Sequence, residues 1–269
     1  MELKTLKVRS ENGVAKVSLS RPEKANAINE IMWDELRDLF TDISCNHQIK
    51  VVVLEGEGKN FCSGIELSML ENLLNIPNEC EGRAKESLRL KILKLQESVN
   101  AIEQCRKPVI ATVHGACIGG GVDLITACDF RYATESSFFS VKEAALGITA
   151  DLGSLQRLPA IVGQGIAREW AFTCKNIPAQ EALQKGFVNH VFVDQGSMQS
   201  EALKTANLIA NHPPLAVRGT KQILNYSKDH STYDSLNYVA TWNSATLPSS
   251  DIKEALQAMK EKRQAKFLD

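Results

Sequence analysis

The sequence lacks the features that mark several common classes of protein. Its formal net charge is −1 and it has no basic block, which argues against a nucleic-acid partner. No run approaches the ~18 apolar residues of a membrane span, and the N-terminus shows neither a secretory h-region nor an Arg- and Ser-rich amphipathic presequence. The final Lys-Phe-Leu-Asp is not a peroxisomal Ser-Lys-Leu address. These absences lead us to expect a cytoplasmic protein with no membrane span.

Cysteine is present, but in no pattern typical of a disulfide framework or a metal site. The chain has seven cysteines, an odd number, and no pair is spaced C-x-x-C. No pair of His or Cys has the spacing of zinc ligands. Several cysteines lie in apolar runs, which favours reduced thiols packed in a core. We therefore predict no metal site.

Nucleotide-binding and esterase signatures are also absent. The chain has no G-x-G-x-x-G, no G-x-x-x-x-G-K-[ST] and no G-x-S-x-G. It does have three consecutive glycines, 119–121, between a predicted strand and a predicted helix. Free N–H groups at such a junction can bind a phosphate or a developing oxyanion, and the missing phosphate motifs favour the oxyanion. The alternative, that the glycines only permit close packing of the helix, stays open.

An earlier stretch, "FCSGIEL" at 61–67, has the same order of strand, glycine and helix start, so that it is the first glycine loop in chain order and 119–121 is the second. Two such loops could each donate one backbone hydrogen bond to a single carbonyl oxygen, as an ester or thioester enolate requires. His114, just before Gly115, faintly resembles the H-G-G-G loop of lipases. Because no nucleophile elbow accompanies it, a packed residue at a strand end is the better interpretation.

Three acidic residues stand in otherwise apolar surroundings: Asp123, Glu143 and Asp151. A buried, unpaired charge is costly and therefore often marks a functional site. Each acid also has a structural explanation. Asp151 could cap a helix that begins near Ser154, and Glu143 could be a solvated residue at the start of a helix. The residues alone leave both alternatives open.

The pattern of apolar residues predicts strands that alternate with helices, followed by helices alone, which is typical of an α/β core with a helical appendage. We place the boundary near residue 195, with the core at 1–195 and the helical region at 196–269. A loop is predicted at 72–84. Predicted strands lie at 3–9, 14–19, 51–56, 108–115, 187–193 and, as a short pair, within 130–141. Predicted helices lie at 29–44, 85–105, 154–162, 164–173, 178–186, 198–211, 214–227, 231–246 and 249–264.

Taken together, these motifs resemble the crotonase superfamily of enoyl-CoA hydratases and isomerases along nearly the whole chain. "LSRPEKANAINE" is similar to its early CoA-binding loop, and "FCSGIEL" and "GACIGGGVDLITACDFRYAT" are similar to its two oxyanion loops. "PPLAVRGTKQIL" and the helical tail resemble its C-terminal trimerisation region. The resemblance implies the crotonase fold, a spiral core of ββα units with a helical trimerisation region. It also implies a homotrimer or a hexamer.

The resemblance further implies site residues. The N–H groups of Ile65 and Gly120 would form the oxyanion hole for the thioester carbonyl of an acyl-CoA. Lys24, Ala25 and Ala27 would contact CoA, and so would Ser63, Gly64 and, from the same or a neighbouring subunit, Lys266. No metal or redox cofactor is implied, since CoA enters as part of the substrate. Glu66 stands where the family usually has aspartate, which leaves the side-chain anchoring of the first oxyanion loop open.

A finer resemblance is to the dienoyl-CoA isomerases, on "GGGVDLITACDFRY", "FFSVKE" and "ADLGSLQRLP". Their acid trio matches Asp123, Glu143 and Asp151. This implies that Glu143 removes a proton at C2, that Asp151 protonates C6, and that Asp123 tunes both. The alternatives are an enoyl-CoA hydratase or a Δ3-Δ2-enoyl-CoA isomerase. A binding or scaffold protein, such as an RNA binder, would predict lost acids or a basic stripe, and the sequence has neither.

Overall fold

The computed structural model describes residues 2–74, 80–267 and 269. Its strands are β1 Leu6–Glu11, β2 Val14–Leu19, β3 Val51–Gly56, β4 Val109–Val113, β5 Ala116–Ile118, β6 Phe130–Thr134, β7 Phe138–Ser140, β8 Ile177–Pro178 and β9 His190–Phe192. Its α-helices are α1 Glu30–Cys45, α2 Leu67–Leu74, α3 Glu81–Gln104, α4 Gly120–Thr126, α5 Ser154–Val162, α6 Gln164–Thr173, α7 Ala179–Gln184, α8 Gln195–Ala210, α9 Pro214–Tyr226, α10 Thr232–Thr246 and α11 Ser250–Glu261. Short 3₁₀ turns lie at Pro22–Lys24 and Glu143–Leu146.

The main sheet has six strands in the order β1-β2-β3-β4-β6-β9. Only the β1–β2 pair is antiparallel, and its two-residue turn has positive φ at both Asn12 and Gly13, as a tight hairpin requires. The remaining neighbours are parallel. All residues of β4 are buried, because helices cover the central parallel strands on both faces. The sheet therefore holds the ends of β3 and β4 rigidly, and the two glycine loops follow these ends.

Helices of two kinds cover the sheet. On one face, α1 and α3 bury long apolar side chains such as Trp33, Leu36 and Val99 in the larger core cluster. On the other face, α8 presents small residues, which let this helix lie close to the strands. The α8 residues in that second cluster are Met198, Ala202, Ala206 and Ala210, against Val14, Val51, Val53 and Ile110 of the sheet.

A three-stranded sheet, β5-β7-β8, lies beyond the carboxyl end of β4. The chain turns from β4 into β5 at Gly115, where φ is +59°. A Cβ at Gly115 would lie 2.3 Å from the carbonyl oxygen of Lys59, so no other residue fits this turn. The small sheet carries the second glycine loop and holds it against the first.

The described part of the region after residue 195 contains only helices, as the sequence predicts. Lys221 of α9 connects this region to the main sheet. Its Nζ lies 2.8 Å from Asp129 Oδ2 and 3.0 Å from the Lys107 carbonyl oxygen. The same Asp129 oxygen accepts the Val109 N–H at 2.7 Å. A division of the chain into regions at residue 195 stays a prediction.

Two sequence predictions need correction. The expected loop at 72–84 is partly helical, since α2 runs to Leu74 and α3 begins at Glu81; residues 75–79 of that prediction lie outside the described residues. The expected strand at 187–193 is shorter, because only His190–Phe192 pairs with β6. Phe187 and Val188 are buried in the larger core cluster instead. A short apolar run cannot by itself distinguish a strand from a buried connection.

Candidate active site

The two glycine loops meet beside the small sheet. Cys62 donates its N–H to the Ala116 carbonyl oxygen at 3.0 Å, and the Ile118 N–H donates to the Cys62 carbonyl oxygen at 3.0 Å. Gly64 follows with a φ of +99°. A Cβ at Gly64 would lie 3.2 Å from the Ile118 carbonyl oxygen and 3.9 Å from the Gly120 nitrogen. Glycine at this position therefore lets one loop approach the backbone of the other.

The amides of Ile65 and Gly120 lie at this junction. The Gly64 carbonyl oxygen accepts the Ile28 N–H at 2.8 Å, and the Glu66 N–H donates to the Ile28 carbonyl oxygen at 2.9 Å, so Ile65 is fixed on both sides. Within the described part of the chain, no hydrogen-bond acceptor contacts the N–H of Ile65 or that of Gly120. Two fixed N–H groups without an acceptor are the arrangement that a developing oxyanion requires.

Asp123 lies on α4, one turn from Gly120, and is only 2% exposed. Its Oδ1 accepts the Ser154 N–H at 2.7 Å and also accepts a short hydrogen bond from the Ser154 hydroxyl. Burial raises the pKa of Asp123 to about 6, although both Ser154 hydrogen bonds oppose that change. Sequence reasoning did not identify Ser154, because no local pattern connects it with a residue 31 positions earlier.

Glu143 begins the 3₁₀ turn Glu143–Leu146 and is partly buried. Its Oε1 lies over Gly119, where a Cβ would be only 3.1 Å from it. Its Oε2 is buried and has no hydrogen-bond partner in the described structure. Burial and the charge of Asp123 raise the pKa of Glu143 to about 7. A carboxylate with these properties can exchange a proton near neutral pH. It is therefore not a solvated residue at the start of a helix.

Asp151 lies at the outer side of the same site. The residue as a whole is exposed, and its carbonyl oxygen accepts the Gln96 side-chain amide at 2.6 Å. Partial burial of its carboxyl raises the pKa of that group. It does not cap α5: Gly153 occupies the N-cap position, with no side-chain hydrogen bond there. The first N–H of α5, that of Ser154, is bound by Asp123 instead. The structural alternative for Asp151 is therefore wrong.

The three acids interact electrostatically. The charge of Asp123 raises the pKa of Glu143, and the charge of Asp151 raises the pKa values of both Asp123 and Glu143. Arg157 acts in the opposite direction on Asp123, but its guanidinium is already bound to Glu103 at 2.7 Å. The fold thus brings together three carboxyl groups from α4, the 3₁₀ turn and the segment before α5.

The early loop packs on the first glycine loop through its backbone. Ser63 donates its N–H to the Ala25 carbonyl oxygen at 3.0 Å and its hydroxyl to the Lys24 carbonyl oxygen at 3.4 Å. Ala25 has a φ of +49°. The side chain of Lys24 is exposed, and Ala27 is partly buried. The structure therefore brings Lys24, Ala25 and Ala27 next to Ser63 and Gly64.

Lys266 is not part of this group. Its N–H donates to Glu254 Oε1 at 2.9 Å, and its side chain is exposed. The next residue, Phe267, accepts a hydrogen bond from Lys50 Nζ at 3.2 Å through its carbonyl oxygen. Lys50 precedes β3, so this contact lies at the amino ends of the parallel strands, whereas the glycine loops follow their carboxyl ends. A CoA contact by Lys266 within one chain has no support in this geometry.

Glu66, which stands where the family usually has aspartate, forms an ion pair that anchors the first glycine loop. Its Oε2 lies 2.8 Å from Arg21 Nη1, which also donates to the Ala27 carbonyl oxygen at 2.6 Å. The longer side chain therefore anchors the loop across to the early loop. Arg21 lies in the "LSRPEKANAINE" motif and could have been singled out from the sequence. Its pairing with Glu66 could not, because the two residues are 45 positions apart.

His114 and five of the seven cysteines are packed in the interior, as the sequence predicts for His114 and for cysteines in apolar runs. His114 is buried, with Nε2 2.9 Å from the Gly58 carbonyl oxygen at the end of β4. The five buried cysteines, Cys62, Cys105, Cys117, Cys128 and Cys174, are free thiols, whereas Cys45 and Cys80 are exposed. Among residues 2–74, 80–267 and 269, no group of three or more His, Cys, Asp and Glu side chains could hold a metal ion.

Comparison with known proteins identifies the family. The family model described as enoyl-CoA hydratase/isomerase matches residues 9–269. The chain belongs to this family. Among solved structures, an enoyl-CoA hydratase from Bacillus anthracis superposes with a TM-score of 0.89 at 32% identity, covering 98% of this chain and 99% of that one. The fold is therefore the crotonase fold, as the resemblance implies.

Curated relatives are more similar in sequence. A peroxisomal Δ3,5-Δ2,4-dienoyl-CoA isomerase from Arabidopsis thaliana is 44% identical over 98% of this chain and 96% of its own length. A mitochondrial enzyme of the same name from Homo sapiens is 45% identical over 97% of this chain and 81% of its own length. Both matches span the glycine loops and all three acids of the site.

These names correct one expectation. The predicted cytoplasmic location is wrong, because the relatives are named peroxisomal or mitochondrial and point to an organelle. Targeting signals are short segments read by receptors, and they make no contribution to a packed core. The folded part of a sequence therefore carries little information about its compartment. No helix in the described part of the chain is long and apolar enough to cross a membrane.

Proposed function

We propose that this protein is a Δ3,5-Δ2,4-dienoyl-CoA isomerase, which converts a 3,5-dienoyl-CoA to the 2,4-dienoyl-CoA in the breakdown of unsaturated fatty acids. The observation that carries the proposal is the third acid. Asp151 acts electrostatically on both Asp123 and Glu143, and its side chain does not cap a helix. The curated relatives at 44% and 45% identity carry the same activity in their names.

The reaction moves two double bonds by one carbon each, and it removes a proton at C2 and adds one at C6. Glu143 removes a proton from C2, the electron pair of that C–H bond forms a C1–C2 double bond, and the thioester carbonyl pair moves onto its oxygen to give a dienolate. When the dienolate collapses, the oxygen pair re-forms the carbonyl, the C1–C2 pair moves to C2–C3, the C3–C4 pair moves to C4–C5, and the C5–C6 pair takes a proton from Asp151 at C6. Atoms and electrons balance within the substrate, so no electron carrier is needed. No metal or redox cofactor is part of this proposal.

The two amides of Ile65 and Gly120 would stabilise the intermediate. Removal of the C2 proton places negative charge on the thioester oxygen, which becomes an oxyanion. Backbone donors that are fixed in advance stabilise such charge without reorganising; loss of one donor costs about 10²–10³-fold in rate in other enzymes. Because backbone groups provide the donors, the substitution of glutamate for aspartate at position 66 leaves them in place.

The burial of the acids sets their protonation states. Glu143, with a pKa of about 7, is ionised in half or more of the molecules at pH 7 and above, and so can accept the C2 proton. Asp151 is exposed, so it can exchange protons with water between turnovers. Asp123 is held at one oxygen by Ser154 and adds negative charge beside Glu143. An aspartate here reaches less far than a glutamate, which favours isomerisation over activation of a water.

Substrate and assembly contacts complete the proposal. Lys24, Ala25, Ala27, Ser63 and Gly64 lie together at the early loop and would hold the CoA portion of the substrate. An apolar cavity of about 460 Å³ lies among α9, α10 and α11, between residues such as Leu215, Ile223, Trp242 and Ile252. Leu224, which lines it, is an exposed apolar side chain, and so are Leu236 of α10 and Leu256 of α11. We assign this face to a homotrimer, or to a hexamer of two trimers, in which Lys266 would reach a neighbouring subunit.

An absorbance assay tests the proposal. Purified protein is mixed with a 3,5-dienoyl-CoA, and the conjugated 2,4-dienoyl product is followed; a 2-enoyl-CoA is run in parallel to detect hydration. We expect rapid isomerisation, weak hydration, and a loss of isomerisation of at least about 100-fold in Asp151→Asn, since general acid catalysis contributes 10²–10⁴-fold. Strong hydration that is unchanged in Asp151→Asn would instead make the protein an enoyl-CoA hydratase.

A further inference from the structure

Ser154 is completely buried, and both of its hydrogen-bond donors are directed at one oxygen of Asp123. We propose that Ser154 is a positioning residue of the isomerase, which keeps Asp123 charged and fixed beside Glu143 and thereby tunes Glu143 as the base. This inference rests on the proposed function. It names a residue for which neither the motifs nor the sequence pattern gives a role.

Ser154 restrains the Asp123 carboxylate by two hydrogen bonds to one oxygen. The Ser154 N–H and hydroxyl both donate to Oδ1, so the Asp123 carboxylate cannot rotate without losing two hydrogen bonds. Among the described residues, no other side chain donates to this carboxylate. The remaining oxygen, Oδ2, is therefore held in a fixed position. Since Ser154 begins α5, the same contact also fixes the segment that carries Asp151.

Ser154 also influences the charge of Asp123. Hydrogen bonds from Ser154 stabilise the ionised form of Asp123 against the effect of burial. An ionised Asp123 in turn disfavours a second charge on Glu143, whose own Oε2 has no hydrogen-bond partner in the described structure. Ser154 thus acts on Glu143 through Asp123 without contacting the substrate.

The other charged or titratable groups near Asp123 and Glu143 do not take over the role of Ser154. Asp151 faces both acids and adds negative charge, while Arg157 faces Asp123 and favours its ionised form. The thiols of Cys62 and Cys117 are buried close to Asp123, and burial raises the pKa of Cys62 to about 12 and that of Cys117 well above its usual value. Both thiols therefore stay neutral near neutral pH and do not change the charge around Asp123. The hydrogen bonds from Ser154 are the contacts whose removal changes the pKa of Asp123.

Substitution of Ser154 has a predictable direction. Ser154→Ala keeps the N–H donor and removes the hydroxyl donor, so the pKa of Asp123 rises, by roughly one pH unit for a charge-assisted hydrogen bond. Asp123 is then neutral over more of the range in which Glu143 titrates. Because Glu143 loses a like-charged neighbour, its pKa falls, and the acid limb of the pH–rate profile moves to lower pH. A residue that only begins a helix would not shift this limb.

The test combines kinetics with a direct titration. The pH dependence of kcat/KM for a 3,5-dienoyl-CoA is measured for the wild type, Ser154→Ala and the conservative Ser154→Thr. The carboxyl carbons of Asp and Glu are followed by ¹³C NMR without substrate, with Asp123→Asn and Glu143→Gln identifying the two resonances. We expect the Asp123 midpoint to rise and the Glu143 midpoint to fall in Ser154→Ala, and Ser154→Thr to restore both.

Ser137→Ala is the matched control. Ser137 is 2% exposed, and its hydroxyl donates to the Val113 carbonyl oxygen at 2.9 Å, away from the acids. It should lose stability without moving either midpoint. If Ser154→Ala behaves in the same way, the positioning role is excluded. If Ser154→Ala does not fold, Ser154→Cys, which keeps the volume with a weak donor, is measured instead and must show the same shifts.

The two proposals fail in different ways. If the wild type does not isomerise the diene, the proposed function fails, and the NMR midpoints still decide whether Ser154 controls the two acids. If the wild type isomerises the diene and the midpoints do not move in Ser154→Ala, the role of Ser154 is overturned while the function stands.

Discussion

Arg21 and Glu66 join the early loop to the first glycine loop through a single guanidinium nitrogen. Arg21 Nη1 lies 2.8 Å from Glu66 Oε2 and 2.6 Å from the Ala27 carbonyl oxygen. The pair is largely shielded from water, with the two side chains 14% and 25% exposed. One residue thus ties the proposed CoA-binding segment to the segment that presents the Ile65 N–H.

The Arg21–Glu66 pair should contribute to substrate binding. In Glu66→Gln and Glu66→Asp, we expect kcat/KM for the dienoyl-CoA to fall about tenfold, the effect of ~1.4 kcal/mol in a shielded ion pair. Most of the loss should appear in KM, since the loop aligns CoA. Steady-state kinetics measure this. The control is Glu57→Gln, which breaks the more exposed pair with Lys7 at 2.8 Å. A similar loss in the control would mean that the Arg21–Glu66 pair has no specific role.

Gly119→Ala should inactivate the enzyme through contact with Glu143. The new Cβ would lie 3.1 Å from Glu143 Oε1, and φ is +50° at this position. We expect a loss in kcat of at least about tenfold, because Glu143 must move away from the substrate. The control is Gly147→Ala, which has a φ of +76° but nothing within 4 Å of its Cβ. It places alanine in the left-handed helical region (ψ 20°) at a cost of about 1–2 kcal/mol and without the clash, whereas Gly119 has ψ −116°. Equal activity of the two variants would contradict the prediction.

Glu143→Gln should stabilise the folded protein at alkaline pH. Burial raises the pKa of Glu143 from 4.5 to about 7, so the folded state binds its proton more tightly than the unfolded state does. Stability from this group is complete below about pH 4.5 and is lost as the pH rises through 7. A neutral glutamine avoids the loss. Thermal unfolding at pH 8 should show a gain of roughly 1–3 kcal/mol over the wild type, which disappears at pH 4. A gain that does not change with pH would rule out this explanation.

Asp123→Asn should move the acid limb of kcat/KM to lower pH. An asparagine oxygen can still accept the Ser154 N–H, but it places no charge beside Glu143. The pKa of Glu143, about 7 in the wild type, then falls. Activity at pH 5.5 relative to pH 8 should rise by several-fold even if the maximum rate is lower. A pH–rate profile with its midpoint unchanged would show that Asp123 exerts no electrostatic effect on the base.

Gly219→Ala should destabilise the helical region. A Cβ at Gly219 of α9 would lie 2.3 Å from Trp242 Nε1 of α10, so the two helices would have to separate. We expect a loss of about 1–3 kcal/mol, together with a change in oligomeric state measured by light scattering. Gly165→Ala in α6 is the control, because nothing lies within 4 Å of its Cβ. That variant should gain up to about 1 kcal/mol from helix propensity. Destabilisation of the control would point to a backbone effect.

Much of the fold follows from local patterns. The limits of α5 and α6 agree with those predicted, because amphipathic spacing and flanking glycines mark them clearly. The predicted limits are wrong where the same sequence pattern is compatible with two different structures. Glu81–Gln104 begins its helix four residues earlier than expected, since packing of its later turns on α1 outweighs the presence of Gly82. Phe187 and Val188 satisfy a strand pattern but pack as core residues beside α7.

The site was predicted less completely than the fold. Burial of Asp123 was expected from its apolar surroundings, and the proximity of the three acids was expected only from the resemblance to the dienoyl-CoA isomerases. The partner of Asp123 was not, because Ser154 is 31 residues away and lies on a helix whose orientation depends on tertiary packing. The same reason concealed the Arg21–Glu66 pair. Sequence patterns identify residues that need a partner, but only the folded chain supplies the partner.

The contact between Gly64 and Gly120 has a further consequence for evolution of the site. Because backbone hydrogen bonds from Cys62 to Ala116 and from Ile118 to Cys62 hold the two loops together, side chains around them can change without moving the N–H donors. The acids placed beside these two N–H donors determine where protons are removed from and added to the acyl chain. New activities can therefore arise by exchanging two or three carboxylates, while the part that stabilises the charged intermediate is inherited unchanged.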